Sequence, residues 1–521
     1  MSMAGFDAPI GTALAAGALA ALAAAATGPF VLRLKHLPLI MVTVAITAIA
    51  HEVANKASWL TGGHDGLPAL VFDDVLGTFR WSIWGTTSYL YALAWLVVIV
   101  VLARVVVASS FGMALQGIRQ NELRMRVIGA PVLLQQVMIY TFSAGIAGVA
   151  GALYAQTNNF VSLEVVTVDL GVFALAMIVL GGLGRIYGAI LGAAVYMLVQ
   201  YLAQQMGSIL LDARHRHPAG ARGALRPGRA LGHCRRPAAA SAPPARRADG
   251  PPARPPLGAG RMTAALEARG LCKSFGALEV TKNVTLTLPR GARHALIGPN
   301  GAGKTTLVGQ LSGVIQPSAG QVLIEGEDVT RLSPARRTRR GLVRTFQISN
   351  LFTDMTVIEN IYLAVSQNRG LGTNLFRAAG RDSASLDRAM ELIRRVRLEA
   401  HADRLVSELA SGQQRLIEIA IALALEPKIL LLDEPAAGIP TGELGLLFSV
   451  IEELDPELAL LVIEHDMELV RRVARDVTVL VHGAVLTSGP MAEVMSSSEV
   501  RRVYLGGADP DDAAANEVRH A

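Results

Sequence analysis

Hydrophobic residues follow different patterns in the two halves of this 521-residue chain. In the first half they form long apolar runs with few charges, each near the ~20 residues that span a bilayer as a helix. The runs cover residues 9–31, 38–55, 84–107, 131–156, 168–182 and 186–206. In the second half, short apolar runs of strand length end in glycine or acidic residues. This pattern predicts a helical membrane region with six crossings, followed by an α/β domain.

Composition agrees with a chain that is part membrane-embedded and part soluble. Apolar residues make up 51% of it, charged residues only 17%, and the mean hydropathy is +0.40. Buried helices of a soluble core would be the alternative for the apolar runs. The run at 84–107 fits a membrane span better, because Tyr89, Tyr91 and Trp95 lie toward one end and Arg104 at the other, as at the two bilayer interfaces.

Charged loops predict how this region is oriented. Basic residues lie in the loop at 32–37 and in the longer segment at 104–126, so both should face the cytoplasm. The loop at 57–81 carries three aspartates and should face outside. Within the fourth run, the glycines between 145 and 151 are spaced for close contact with another helix.

Between the two halves, residues 211–261 change abruptly to Ala, Pro, Arg and Gly. Eleven arginines and nine prolines lie between Asp212 and Arg261, and such a composition cannot build a core. We predict a disordered linker, which could also be coding sequence read out of frame. Since the net charge of +6 belongs mostly to this stretch, it does not indicate a nucleic-acid partner. The two cysteines, Cys234 and Cys272, predict neither a disulfide framework nor a metal cluster.

The second half is organised around a glycine-rich turn that follows a predicted strand and opens a predicted helix. Its Gly-x-x-x-x-Gly-Lys-Thr pattern is that of a phosphate-binding loop, in which glycines let the backbone wrap closely around a polyphosphate. Lys304 adds a full positive charge, and the Thr305 hydroxyl is a suitable ligand for Mg²⁺. A glycine-rich turn without a ligand is the alternative. The residues predicted to bind ATP here are Gly298, Asn300, Gly301, Gly303, Lys304, Thr305 and Thr306.

Two acidic residues end a later apolar strand, in KILLLDEP. Asp433 at the strand tip can hold Mg²⁺ through water, and Glu434 beside it can orient or polarise an attacking water. The pair alone is a weak signal. The interpretation is strengthened because the pair lies downstream of the phosphate loop, and the intervening chain before residue 433 is long enough to form a helical subdomain.

Four segments of the first half resemble the permease subunit of branched-chain amino-acid ABC importers. They are TGGHDGL (61–67), SSFGMALQGIRQNELRMRVIGAP (109–131), AGIAGVAGALYA (144–155) and MIVLGGLGRIYGAILGA (177–193). The resemblance covers about residues 31–206 and departs from the family at both ends, so a truncated permease is expected. It implies that the loop holding residues 116–126 carries the coupling helix that docks on an ATPase.

The second half resembles the ATPase that partners these permeases. The segments concerned are GLVRTFQ (341–347), MTVIENI (355–361), LASGQQR (409–415) and VRRVYLGG (500–507). The resemblance implies that Phe275 stacks on adenine, a sequence-tolerant and sizeable interaction. It also implies that Gln347 contacts Mg²⁺ and the attacking water, and that His465 touches the γ-phosphate.

The signature segment of such ATPases faces the ATP bound by a second cassette. Here the resemblance assigns this role to Ser411, Gly412 and Gln413. Two positions depart from the family pattern, because Ala410 stands where serine is usual and Pro440 where Asp or Asn is usual. A proline removes a backbone donor and fixes φ, which puts signalling between two ATP sites in doubt.

These features together predict a multi-domain protein. An all-α transmembrane helical bundle (1–210) and the linker (211–261) precede an α/β P-loop ABC ATPase with a helical subdomain (262–507) and a disordered tail (508–521). The predicted function is ATP-driven import of branched-chain or related amino acids across the inner membrane, with ATP and Mg²⁺ as cofactors and the ATPase domain in the cytoplasm. One cassette per chain implies a second ABC ATPase subunit, a second permease subunit and an external substrate-binding protein.

Two alternatives stand beside this interpretation. A soluble ABC protein acting on ribosomes or DNA is disfavoured by the single phosphate loop and the six apolar runs. The other alternative is a fusion without transport function, in which only the ATPase half works.

Overall fold

The computed structural model describes residues 8–215 and 264–500, apart from residues 64–65, 69–71, 76–77, 80, 82–84, 183, 185, 346–350 and 465. Two compact units divide the chain between Leu170 and Gly171. The first joins the helices before that point to the domain that begins at residue 264. The second begins within a helix and holds a helical hairpin. The predicted tail and nearly all of the predicted linker lie outside the described residues.

Helices make up almost all of the first half. They are α1 (Pro9–Val31), α2 (Leu37–Lys56), α3 (Ser58–Thr61), α4 (Thr86–Val107), α5 (Ser110–Gln120), α6 (Glu122–Val127), α7 (Val132–Asn158), α8 (Val168–Gly181) and α9 (Ile186–His215). Each of the six predicted apolar runs forms a helix, because no polar position interrupts it for long. The last helix continues through His215, beyond the predicted boundary at residue 210.

Within the described residues, five helices are long and apolar enough to cross a membrane: α1, α2, α4, α7 and α9. The exception among the six runs is α8, which has 14 residues. At 1.5 Å per residue it is about 21 Å long, shorter than the ~30 Å hydrocarbon core of a bilayer. The sequence therefore gives six apolar helices, of which five have spanning length.

The first and seventh helices pack against each other as a close antiparallel pair. A Cβ atom on Gly148 would lie 2.6 Å from the carbonyl oxygen of Ala16, and one on Gly17 would lie 3.1 Å from that of Gly145. Close backbone approach of this kind is how small residues hold membrane helices together. Gly151, one turn further along, has open space beside it. Two of the three glycines that the sequence singles out therefore form the contact.

Short pairings fix which loops share a side. Strands β1 (Leu67–Pro68) and β2 (Phe160–Val161) pair antiparallel and join the loop after α3 to the loop after α7. On the other side, Lys35 Nζ lies 2.6 Å from Glu122 Oε2, so the loop after α1 lies beside α6. This agrees with the predicted grouping, in which the two basic segments face one compartment and the acidic loop the other.

The second unit contains a tight helical hairpin. A Cβ atom on Gly192 of α9 would lie 1.8 Å from the carbonyl oxygen of Met177 in α8, and one on Gly181 would lie 1.7 Å from that of Gly188. The two helices are antiparallel. Glycine is required at these positions because any side chain would force the backbones apart.

The second half is an α/β domain built on two sheets. Its strands are β3 (Ala264–Phe275), β4 (Leu278–Pro289), β5 (Arg293–Ile297), β6 (Ala319–Ile324), β7 (Glu327–Asp328), β8 (Leu342–Arg344), β9 (Ile429–Asp433), β10 (Ala459–Ile463), β11 (Asp476–Val481) and β12 (Ala484–Pro490). Among the described residues one sheet has the order β12-β11-β5-β10-β9-β8, parallel except for β12, and the other has the antiparallel order β4-β3-β6-β7.

Helices cover the parallel sheet and form a separate helical subdomain. They are α10 (Lys304–Ser312), α11 (Pro334–Thr338), α12 (Val357–Asn368), α13 (Ser383–Arg395), α14 (Ser411–Ala424), α15 (Leu444–Glu452), α16 (Met467–Val473) and α17 (Met491–Ser496). The start of α12 is fixed by a capping box, in which Thr356 N–H donates to the Glu359 carboxylate and Glu359 N–H donates to the Thr356 hydroxyl.

The segment formed by α5 and α6 belongs to the core of this subdomain. Ala114, Met125 and Ile128 are buried in the same hydrophobic cluster as Leu363 of α12 and Leu416 of α14. Polar contacts accompany the apolar ones. Among them, the Thr338 hydroxyl donates to the carbonyl of Val127 at 3.0 Å. The loop that connects two membrane-type helices therefore packs directly on the α/β domain.

The contact between α1 and α7 can be tested with a matched pair of substitutions. Gly148→Ala places a methyl group against the backbone of α1, so we expect overpacking to cost about 1–3 kcal/mol. Gly151→Ala meets open space and should leave stability unchanged or slightly raised. Thermal unfolding of the full chain in detergent measures both. Equal loss of stability in the two variants would contradict the glycine contact.

Candidate functional site

The predicted phosphate-binding loop connects β5 to α10. Its conformation needs glycine at Gly303, where φ is +98° and a Cβ atom would lie 2.7 Å from the carbonyl oxygen of Val280. A Cβ atom on Gly298 would lie 2.2 Å from the carbonyl oxygen of Leu480. The backbone thus turns tightly before α10 begins, and Thr305 lies exposed in the first helical turn.

Lys304 reaches back over this loop. Its side chain is 8% exposed, and Nζ donates to the carbonyl of Gly298 at 2.6 Å and to that of Pro299 at 3.1 Å. Burial lowers the pKa of Lys304, and the carboxylates of Glu434 and Asp433 oppose this change. The ammonium group therefore lies in the field of both acidic residues, although they are about 130 positions away in sequence.

The parallel sheet explains why these groups meet. Ile463 of β10 is in register with Leu296 of β5 and with Asp433 of β9, so the carboxyl ends of three strands lie at one edge. Loops that leave this edge form the crevice in which open α/β sheets bind ligands. Lys304, Asp433 and Glu434, which the sequence assigns to one site, lie at or after the ends of strands that end at this edge.

Asp433 is held by a cation that the sequence analysis missed. The carboxylate is 1% exposed, and Arg344 Nη2 lies 2.6 Å from its Oδ2. The Asp433 N–H also donates to the Thr345 hydroxyl at 3.3 Å. Since β8 runs parallel to β9, a polar residue at the end of β8 could have been expected beside Asp433.

Glu434 occupies an unusual backbone conformation. Its φ is +46°, in the left-handed region that non-glycine residues rarely adopt, and its N–H donates to the carbonyl of Ile463 at 2.8 Å. Strain of this kind is found where a structure holds a side chain in a defined direction. Glu434 is half-buried, at the edge that also carries the phosphate loop.

Glu464, a third acidic residue near this edge, was also missed by the sequence analysis. It is fully buried, and its carboxylate accepts from Ala436 N–H at 2.9 Å and from Asp466 N–H at 3.2 Å. It therefore ties the loop after Glu434 to the residue that directly precedes α16. The available signal was its position directly after a buried strand, in LLVIEHD.

The signature segment contacts residues that follow β9. Gly412 N–H donates to Glu443 Oε2 at 3.0 Å, and the Ser411 hydroxyl donates to the carbonyl of Gly438 at 3.2 Å. Gln413 accepts from Ala410 N–H at 3.2 Å, which fixes the start of α14 although alanine offers no capping oxygen. Sequence reasoning did not foresee Glu443 at this helix start.

The remaining predicted residues are placed as follows. Phe275 ends β3 with its ring exposed, and Lys273 Nζ lies 5.1 Å from the ring centroid. Asn300 is exposed in the phosphate loop, while Gly301 has a φ of +79° there. Thr306 follows Thr305 in α10. Gln347 and His465 lie outside the described residues.

The two halves of the chain match different families of known proteins. A family model for the permease component of branched-chain amino acid transport systems matches residues 1–219, and the ABC transporter model matches residues 281–437. The LivG high-affinity branched-chain amino acid transport ATP-binding protein of Escherichia coli K12 is 40% identical over 252 residues, which cover 47% of this chain and 98% of LivG. This chain belongs to the ABC transporters of the branched-chain amino acid type. Its second half is an ABC ATPase that hydrolyses ATP.

Other relatives match the same half of the chain. The BraF ATP-binding protein of Pseudomonas aeruginosa is 38% identical over 254 residues, covering 47% of this chain and 98% of BraF. Among solved structures, a nucleotide-free ATP-binding cassette from an ABC transporter is 27% identical. It covers 47% of this chain and 100% of its own, with a TM-score of 0.42.

The buried pair at Asp433 gives a stability test. Arg344→Met leaves a buried carboxylate without its closest cation, and we expect a loss of about 3–5 kcal/mol in the free energy of unfolding. The matched control is Arg340→Met on the same segment, because Arg340 pairs with Glu327 at the surface and its removal should change little. Chemical denaturation of the full chain in detergent compares them. A loss with Arg340→Met as large as that with Arg344→Met would contradict this interpretation.

Proposed function

We propose that this chain is a combined permease and ATPase subunit that imports branched-chain or related amino acids across the inner membrane. The observation that carries the proposal is the packing of α5 and α6 on the helical subdomain. This segment connects two helices of spanning length, and its Met125 is buried in the ATPase core. A movement of the cassette therefore reaches the membrane helices without an intervening linker.

Several polar contacts support a firm connection at this surface. Gln135, at the start of α7, donates from Nε2 to the carbonyl of Gly372 at 2.9 Å. The Ala379 N–H donates to the carbonyl of Ala108 at 2.9 Å, just after α4. The two membrane helices that flank the segment are thus each bonded to the ATPase near their ends.

The proposed ATP site uses the loop from Gly298 to Gly303 and the start of α10. Lys304 would exchange its bonds to two loop carbonyls for bonds to the β- and γ-phosphates, and it supplies the main counter-charge. Glu434 would orient the attacking water and accept its proton, a role for which its strained and fixed backbone is suited. The exposed ring of Phe275 would stack on adenine.

The side chains at this site suit Mg²⁺, to which phosphates supply some of the ligands, better than a metal ion that is coordinated by protein groups alone. Among the described residues no group of three or more His, Cys, Asp or Glu could hold a metal ion. Mg²⁺ needs only one or two protein oxygens when phosphates supply others. The Thr305 hydroxyl and the Asp433 carboxylate are such oxygens. Bound there with Gln347, the ion would neutralise charge that develops on the phosphates.

The signature residues Ser411, Gly412 and Gln413 would act on ATP held by a second cassette. Because this chain carries one phosphate loop, a complete ATP-sandwiching pair needs a second ABC ATPase subunit. A second permease subunit would complete the pathway. An external substrate-binding protein would deliver the amino acid. His465 would contact the γ-phosphate from the same cassette as Lys304.

The ATP site can be tested by separating binding from turnover. Lys304→Ala removes the counter-charge, so ATP affinity should fall roughly 10- to 100-fold, the effect of one charged hydrogen bond. Glu434→Gln keeps the shape of the side chain and should leave affinity intact, while the hydrolysis rate falls by about 10²–10⁴. Equilibrium ATP binding and steady-state phosphate release measure the two quantities.

Matched controls exist on the same domain. Lys282→Ala and Glu468→Gln change exposed residues and should alter neither quantity. Normal hydrolysis by Glu434→Gln would show that another group orients the water.

The number of crossings bears on the alternative, a fusion that does not transport. With the basic loop after α1 in the cytoplasm, five crossings return the chain to the cytoplasm after α9, where the ATPase needs ATP. Six crossings would leave it outside. The tight antiparallel pairing of α8 with α9 favours six crossings, and with them a fusion that does not transport. Two paired helices that both cross return the chain to the side from which it came.

Thiol labelling distinguishes these cases, since the chain carries one cysteine on each side of residue 262, at Cys234 and Cys272. In a Cys272→Ser background, a membrane-impermeant maleimide should not label Cys234 in intact cells, and it should label Cys234 after permeabilisation. A Cys234→Ser variant controls for the ATPase half. Labelling of Cys234 from outside would overturn the proposed transport function and leave only the ATPase.

A further inference from the structure

One charged side chain of the membrane half lies deep in the ATPase. Arg124 is on α6, whose start is capped by Asn121: the Arg124 N–H donates to the Asn121 side-chain oxygen at 2.9 Å. The end of α6 is fixed by the bond from the Thr338 hydroxyl to the carbonyl of Val127. With the backbone held at both ends, the Arg124 side chain extends into the subdomain and is only 5% exposed.

The acidic group that faces Arg124 is Glu418, which is 3% exposed. Arg124 Nη1 lies 3.8 Å from Glu418 Oε1, and Arg415 Nη1 lies 2.7 Å from Glu418 Oε2. The guanidinium carbon of Arg124 also lies 5.8 Å from the ring centroid of Phe352. Glu418 is on α14, two helical turns after the signature residue Ser411. A side chain of the membrane half thus contacts the helix that the signature segment begins.

A small cavity lies beside this cluster and reaches Arg344 and Thr345. It measures about 20 Å³, and its polar lining is formed by Arg124, Glu418, Arg344 and Thr345. That volume suits one water molecule among polar groups. Arg344 is the residue that holds Asp433. Arg124 and Glu418 therefore line the same cavity as Arg344, the partner of the proposed Mg²⁺ ligand Asp433.

We propose that Arg124 is a positioning residue that couples movement of the membrane helices to the signature helix through Glu418, and to Asp433 through the cavity shared with Arg344. The proposal deepens the transport function proposed above and rests on it. It assigns this coupling to the buried guanidinium of Arg124 and not to the apolar contacts around it.

The physical reason is the cost of separating buried charges. An exposed ion pair such as Arg126 with Glu122 can exchange its partner for water at little cost. The buried guanidinium of Arg124 cannot, because the low dielectric leaves its charge uncompensated once Glu418 moves away, whereas Glu418 keeps its pair with Arg415. A shift of α6 must therefore carry α14 with it or rearrange the cavity. Either response changes the position of groups at the ATP site.

The test uses the full chain, assembled with its partner subunits in lipid vesicles and supplied with a binding protein and radiolabelled leucine. Arg124→Met and Glu418→Gln each neutralise one side of the buried contact. We expect each to lower leucine uptake per ATP hydrolysed about tenfold, within the usual range of coupling between sites. Arg126→Met is the matched control, two residues away on the same helix but exposed, and it should change nothing.

Two further variants separate coupling from a merely structural role. The double variant Arg124→Met with Glu418→Gln should be no worse than Glu418→Gln alone, because Glu418→Gln already removes the contact with Arg124 together with that of Arg415. Arg124→Lys keeps the charge and should recover most of the coupling. ATP affinity, which reports on a folded cassette, should stay at the wild-type value in all of them.

The outcomes are distinguishable. Normal coupling in Glu418→Gln, or losses that multiply in the double variant, would overturn the role of Arg124. Equal impairment in Arg126→Met would assign the effect to the whole segment and also overturn it. A wild-type chain without leucine uptake would instead overturn the proposed transport function, and this inference with it.

Discussion

The burial of the α5–α6 segment in the ATPase core is the contact on which the other features depend. A Cβ atom on Gly117 would lie 2.7 Å from the sulfur of Met125 and 2.9 Å from Leu363, so the segment and α12 meet without spare volume. Interiors packed at this density transmit displacement and do not absorb it. The ends of α4 and α7, the bonds around them and the buried Arg124 all take their positions from this contact.

The second constraint is the parallel order of β5, β10 and β9. It brings Lys304 and Asp433 to one edge, although the chain between them includes most of the helical subdomain. Charges gathered there are stabilised by buried partners, chiefly Arg344 and the backbone donors around Glu464. The catalytic edge and the surface that receives the membrane half are therefore parts of one packed body.

Local patterns were predictable from the sequence, and contacts between distant segments were not. The turn at Gly298 to Gly303 and the six apolar helices follow from residues within a few positions of each other. Arg344 lies 89 positions from Asp433, and Glu443 lies 31 from Gly412, so no local pattern indicates either contact. The run at 168–182 was predicted to cross the membrane, but the helix that it forms, α8, has 14 residues and is shorter than the five helices of spanning length. Gln347 and His465 lie outside the described residues, and their roles stay predictions.

The carboxylate of Glu443 gives the signature segment a property of its own. Gly412 N–H already has an anionic acceptor within its own chain, which a phosphate from a second cassette would displace in the proposed pairing. Displacement would move the short stretch between Gly438 and Glu443, which directly continues the loop carrying Glu434. In the proposed pairing of two cassettes, the Glu443 carboxylate would therefore compete with phosphate for the N–H group of Gly412.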